Sequence, residues 1–113
     1  MTEERRELLG RWRAAVNMTA AQLRRFLQRH GKVAGTEVGR RSARTILAMK
    51  ATSPNDWTRG QWDWAKRQAA FIARMSAARG PLSDAKGRPT RKALALHLWG
   101  HSPNDASLRR VLS

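Results

Sequence analysis

WTRGQWDWAKRQAAFIARMSAAR, residues 57–79, is the stretch whose reading decides the fold. From Thr58 onward it reads as one amphipathic helix of about six turns at 3.6 residues per turn. Trp64, Gln68, Phe71, Ile72 and Met75 recur at helical spacing on a single face, while Asp63, Lys66, Arg67 and Arg74 fall outside that stripe. Thr58 is placed to cap its start and Gly80-Pro81 to end it. With helical candidates on both sides, the 58–79 helix is expected to be a central post for shorter helices.

Working outward, TEERRELLGRWRAAV (residues 2–16) carries an apolar stripe of Leu8, Leu9, Trp12, Ala15 and Val16. Its first turn holds Glu3 and Glu4, where the helix dipole favours acids. Gly10 weakens this helix by about 1 kcal/mol relative to alanine, and Asn17 ends it. Thr19-Ala20-Ala21-Gln22 fits the capping-box pattern, with Met18 and Leu23 at the staple positions. Leu23, Phe26 and Leu27 then face inward, Arg24, Arg25, Gln28 and Arg29 outward, and Gly31 stops the helix. After a short loop (32–35), Val38, Ser42, Ile46, Leu47 and Met49 mark a third helix, from Thr36 or Glu37 to Ala51. Pro54 breaks it. A turn-rich loop spans Gly80 to Pro89, and Thr90 is placed to cap a fifth helix running to Trp99. Leu94, Leu96 and Leu98 alternate as in a strand, but the alanines between them favour a helix buried on most sides. Gly100 ends it, and Ala106–Leu112 supplies a last short turn. Ser53-Pro54-Asn55-Asp56 recurs as Ser102-Pro103-Asn104-Asp105, a repeat that local capping chemistry explains. The expected architecture is therefore one all-α domain, residues 1–113, a compact bundle of five to six helices around a long central one.

Composition narrows the function. A chain of 113 residues with 41% hydrophobic content can bury one core. The absence of cysteine excludes disulfides, thiol catalysis and thiolate metal sites. No apolar run is long enough for a bilayer, and Met1 leads into acids instead of a secretory signal, so a cytoplasmic setting is expected. Lys and Arg number 23 against 8 acids, a net charge of +15, and 18 of the 23 are arginine. Such an imbalance repels itself unless a polyanion neutralises it, and arginine suits bidentate phosphate contacts. An Arg-biased genome would explain the Arg-to-Lys ratio but not the scarcity of acids.

Catalysis finds little support. The acids sit mostly in first helical turns or loops, no serine lies in a nucleophile elbow, and no glycine cluster has phosphate-loop spacing. His97 and His101 are four apart, but Gly100 interrupts the helix between them and no third ligand is near. His101 is instead expected to hydrogen-bond and fix the turn Trp99–Pro103. Neither a metal nor a cofactor is expected, and the reading is non-enzymatic. Trp12, Trp64 and Trp99 fall on inward faces, while Trp57 and Trp62 have no evident core role. Nucleic acid is the expected partner, duplex DNA before RNA. Arg24, Arg25, Arg29, Lys32, Arg40, Arg41, Arg44 and Lys50 crowd the second and third helices with Glu37 as the sole acid. A second group, with Arg88, Arg91 and Lys92, opens the fifth helix, where cations oppose the helix dipole unless an anion lies between them.

Two resemblances follow. The stretch from Met18 to Met49, with NMTAAQLRRFLQRHG followed by SARTILAM, resembles the helix-loop-helix of SAP domains, small DNA-binding modules, with a different, glycine-bearing loop. Val16-Asn17-Met18-Thr19, Val38-Gly39 with Ser42-Ala43-Arg44, Phe71-Ile72 with Arg74, and Trp99-Gly100-His101 with Pro103 resemble a family of small basic bacterial proteins. That family is catalogued as a domain of unknown function and often labelled DNA-binding. The resemblance implies a DNA-binding protein, nucleoid-associated or, if phage-encoded, inside a virion. The rival expectation is a structural or adaptor protein of a phage particle or nucleoprotein assembly. It would expose an apolar patch around Trp57 and Trp62 and present Trp99-Gly100-His101 at a protein interface.

Overall fold

Each of the first five α-helices begins where a threonine hydroxyl accepts a first-turn amide. A computed structural model of the chain describes residues 1–32 and 34–112; Val33, in the loop expected at 32–35, and Ser113 lie outside them. The helices are α1 (Glu3–Ala15), α2 (Ala20–His30), α3 (Glu37–Lys50), α4 (Arg59–Ala77), α5 (Arg91–Leu98) and α6 (Ala106–Leu112), with a 3-10 turn at Pro54–Asp56. Thr2, Thr19, Thr36, Thr58 and Thr90 are the capping residues, and Thr19 and Thr58 form full capping boxes with Gln22 and Gln61. No strand forms among the described residues, only an isolated antiparallel bridge, Ser83 to Pro89. Asp84 organises that loop by accepting the backbone amides of Lys86 and Arg88.

The molecule is an all-α bundle with a radius of gyration of 13.9 Å, close to the ~13 Å expected of a compact chain this long. α4, the longest helix, packs against α1, α3 and α5, as the central helix should. α3 shares the middle, packing against α2, α4 and α5. Both sides of α4 are used, which corrects the single stripe expected for it. Trp62, Ala65, Gln68 and Ile72 are buried, whereas Trp64, Phe71 and Met75 are half-buried on a second flank. Trp64 is thus a partial core residue, and Phe71 stacks on Trp99 at 4.2 Å between centroids. Trp57 and Trp62 are core residues. Trp57 lies edge-on to both Trp12 (5.0 Å) and Trp62 (4.8 Å), and its indole N–H donates to the carbonyls of Met49 and Thr52. Val38, expected inside, is 44% exposed. The buried stripe of α3 is Gly39, Ser42, Ala43, Ile46 and Met49, and Val38 lies one position off it.

Gln68 is the polar centre. It is fully buried, accepts from the Trp12 indole at 2.7 Å, and donates to the Ser42 hydroxyl at 3.2 Å, so one amide ties α1, α3 and α4 together. Burying such an amide is tolerable because its partners are satisfied.

The end of α5 carries a second junction. Gly100 adopts φ 85° and closes a Schellman motif, its amide bonding to His97 and the His101 amide to Leu96. The same segment grips the end of α1. The Met18 amide donates to Gly100, the His101 imidazole bonds to the Ala15 carbonyl at 2.6 Å, and Asn17 and Ser102 exchange two hydrogen bonds. His101 therefore makes the expected fixing hydrogen bond, to a carbonyl 86 residues away. The two Ser-Pro-Asn-Asp copies differ: the first forms the 3-10 turn with no side-chain cap, whereas in the second Asp105 caps α6 by accepting from Ser107 and Leu108.

Candidate nucleic-acid interface

Two exposed helix faces present the basic residues that the sequence marks. On α2, burial of Leu23 and Phe26 turns Arg24 and Arg25 to solvent, with Arg29 and Lys32 exposed beyond them. On α3, Arg41 and Arg44 are exposed and Arg40 is half-buried. Glu37 gathers two of these guanidiniums, Arg44 at 3.0 Å and Arg40 at 3.3 Å. Its carboxyl is held below the usual range, first by the hydrogen bond from Arg44 and then by that from Arg40. Arg40 also donates to the Ala34 carbonyl, holding the loop before α3. Arg24, Arg25, Lys32 and Arg41 have no carboxylate within ion-pair distance among the described residues. Lys50 stands apart. It is half-buried with its ammonium 5.2 Å from the Trp12 ring centre, and desolvation, then the nearby Arg13, lowers its pKa.

The second basic group is held mainly by intramolecular contacts. Arg88 pairs with Asp84 at 2.9 Å, and the Lys92 ammonium donates to the carbonyls of Ala78 (2.6 Å) and Gly80 (3.3 Å). Cations at the start of α5 thus need no external anion. One answers a carboxylate and the other the carbonyl-rich end of α4, where positive charge is favoured. Arg91 is exposed on the first turn of α5.

Two clefts accompany these faces. The smaller, about 290 Å³, opens between α3, α4 and α5, where Arg67 and Arg74 flank Phe71 on α4 and Val38 forms part of the rim. The larger, about 550 Å³, lies between α2 and α6 and brings Arg25 together with Arg109 and Arg110. Sequence reasoning passed over Arg109 and Arg110. Their one signal was an adjacent Arg pair on a terminal turn, and only the fold carries that turn to α2. His97 lies beneath this cleft, 3% exposed, with Nδ1 on the Ala93 carbonyl. Desolvation is the main cause of its lowered pKa, and charge at His101 and His30 adds to it. No group of three His, Cys, Asp or Glu side chains among the described residues is arranged to hold a metal. Among the described residues, no helix is long and apolar enough to cross a membrane.

A family model described as a domain of unknown function (DUF6321) matches residues 36–99. The chain belongs to that family. The matched segment starts at Thr36, the cap of α3, and ends at Trp99, the cap of α5. It therefore covers the three mutually packed helices α3, α4 and α5. α1, α2 and α6 lie outside the match, as do Val16–Thr19 and Gly100–Pro103, which the structure pairs with each other. No curated protein and no solved structure matches the chain.

Proposed function

We propose that the chain is a non-enzymatic nucleic-acid-binding protein that takes duplex DNA through Arg and Lys contacts to phosphates, with low sequence preference. The observation that carries this reading is the exposed, carboxylate-free set Arg24, Arg25, Lys32 and Arg41 on α2, its C-terminal turn and α3, within a chain of net charge +15. α2 and α3 pack side by side, so two adjacent helices offer cations to one polyanion. Arg44 and Arg40 add charge that Glu37 partly offsets. The sequence resemblance of Met18 to Met49 to the helix-loop-helix of SAP domains points the same way. α3 carries no Asn or Gln, and α2 presents Gln28 as its one exposed amide besides the capping Gln22, which favours phosphate over sequence readout. Two features named for the assembly reading are engaged within the chain. Trp57 and Trp62 are 6% and 5% exposed, Gly100 and His101 bond to Met18 and Ala15, and Trp99 stacks on Phe71.

Fluorescence anisotropy with duplex DNA, single-stranded DNA and RNA across about 50–300 mM salt tests the proposal. Each phosphate contact contributes about 0.9 to the slope of log affinity against log salt for B-DNA. Changing Arg24, Lys32 and Arg41 together to alanine should therefore flatten the slope by up to about 2.7, while Arg88→Ala and Lys92→Ala leave it near the wild-type value. Binding that is weak, equal for all three ligands and indifferent to the triple variant overturns the assignment.

A further inference from the structure

The cleft between α2 and α6 is built differently from the exposed helix faces. Arg25 of α2 and Arg109 and Arg110 of α6 line one concavity of about 550 Å³, with Arg109 donating to Asn104 Oδ1 at 3.5 Å, and among the described residues no Asp or Glu lines it. The carboxylate beside it, Asp105, is occupied in accepting the Ser107 and Leu108 amides. Converging cations repel one another, and a phosphate held by bidentate guanidinium contacts relieves that repulsion. The remaining lining is mixed. Asn17, Gln22, Ser102 and Asn104 supply polar groups, whereas Met18, Pro103 and Leu112 form apolar wall. Within the polar wall, Asn17 and Ser102 hold each other by two hydrogen bonds of 3.0 and 2.7 Å. Met18 and Leu112 are each 4% exposed and anchor the floor in the core. A cavity of this size falls within the range of small-ligand sites, apolar in part with a few placed polar groups. A duplex meets a protein along its length, whereas a recess of about 550 Å³ has room for a ligand of single-nucleotide size.

We infer that this cleft binds a phosphate monoester of nucleotide size, its phosphate on Arg25, Arg109 and Arg110 and its body against Met18, Pro103 and Leu112. That chemistry is shared by a free mononucleotide and by the 5′-phosphorylated end of a nucleic-acid strand. Only the second source rests on the nucleic-acid reading above.

The test follows the side-chain amide signals of Asn17 and Asn104 and the Met18 methyl by NMR, in the full chain. The titrants are adenosine 5′-monophosphate, adenosine, and a ten-residue oligothymidine with either a 5′-phosphate or a 5′-hydroxyl. The expected result is saturable shifts at all three reporters with the phosphorylated ligands. Affinity should be at least tenfold weaker for adenosine and for the 5′-hydroxyl strand. Arg109→Ala/Arg110→Ala leaves Leu108 and Leu112 to seat α6 and should lose tenfold or more. Tighter binding of the mononucleotide identifies a free ligand, and tighter binding of the phosphorylated strand identifies a strand end. Absence of shifts, equal shifts with adenosine, or full binding by the double variant overturns the inference. The variant lacking Arg24, Lys32 and Arg41 separates the two proposals. It should lose duplex affinity yet keep the mononucleotide shifts.

Discussion

Replacing Gly100 with alanine perturbs the backbone and the packing at one point. The residue sits at φ 85°, in the left-handed region, where a side chain costs about 1–2 kcal/mol. A Cβ there would also lie 2.8 Å from Val16 Cγ1 and 3.1 Å from Ile46 Cδ1, both in the core. Forcing a methyl into a packed interior costs about 1–3 kcal/mol. Together the two effects predict a loss of about 2–5 kcal/mol, a large share of a stability of about 5–15 kcal/mol. Gly87 is the internal control. Its φ is 77° but nothing lies within 4 Å of an added Cβ, so Gly87→Ala carries the backbone term alone. Urea unfolding followed by tryptophan fluorescence should show a lower midpoint at unchanged slope for both variants, and a melting point lower by about 8–20 °C for Gly100→Ala. Equal midpoints for the two variants would refute the reasoning, because they would mean that Val16 and Ile46 do not crowd position 100.

Gln68→Ala should cost about 2–4 kcal/mol, since it leaves the Trp12 indole and the Ser42 hydroxyl short of a buried partner; urea unfolding and the near-ultraviolet signal of Trp12 check it. Gly10→Ala, in an exposed turn of α1 with open space around the new methyl, should stabilise by about 1 kcal/mol in the same assay. The buried His97 favours its neutral form, so its folded pKa lies below the unfolded value of about 6.5. The unfolded chain then binds the extra proton first, and stability is full above about pH 6.5 and declines as pH falls from there towards the folded pKa. His97→Phe should flatten that decline in unfolding curves collected between pH 7.5 and 5; an unchanged decline would place its origin elsewhere. Glu37 should titrate below an ordinary glutamate by NMR and move upward in Arg44→Ala, the partner that lowers it most.

Helix starts were legible because their chemistry is local. The caps Thr19, Thr58 and Thr90, the Gln22 capping box and the glycine after α5 act within four residues. Faces were less legible. The stripe Trp62, Ala65, Gln68 and Ile72 has helical spacing, but Ala65 and Gln68 carry no hydrophobic signal of their own, so the bulkier flank through Trp64 and Phe71 dominates a sequence reading. Trp57 finds its role only through the carbonyls of Met49 and Thr52 and the rings of Trp12 and Trp62. The basic residues were evident as a list, but their engagement was not. Lys92 reaches carbonyls 14 and 12 residues away, and Arg109 and Arg110 meet Arg25 only once α6 folds back.

The grip of residues 100–102 on residues 15–18 also has a consequence for synthesis. The two halves are about 85 positions apart, so on a ribosome moving at about 5–20 residues per second the first waits roughly 4–17 s for the second. α4 emerges well before that, and Trp12 can dock on Gln68 in the meantime. The end of α1 stays unanchored throughout, leaving Val16 and Met18 open to chaperones or proteases during the interval. Closing contacts so far apart in sequence raises contact order and so slows folding.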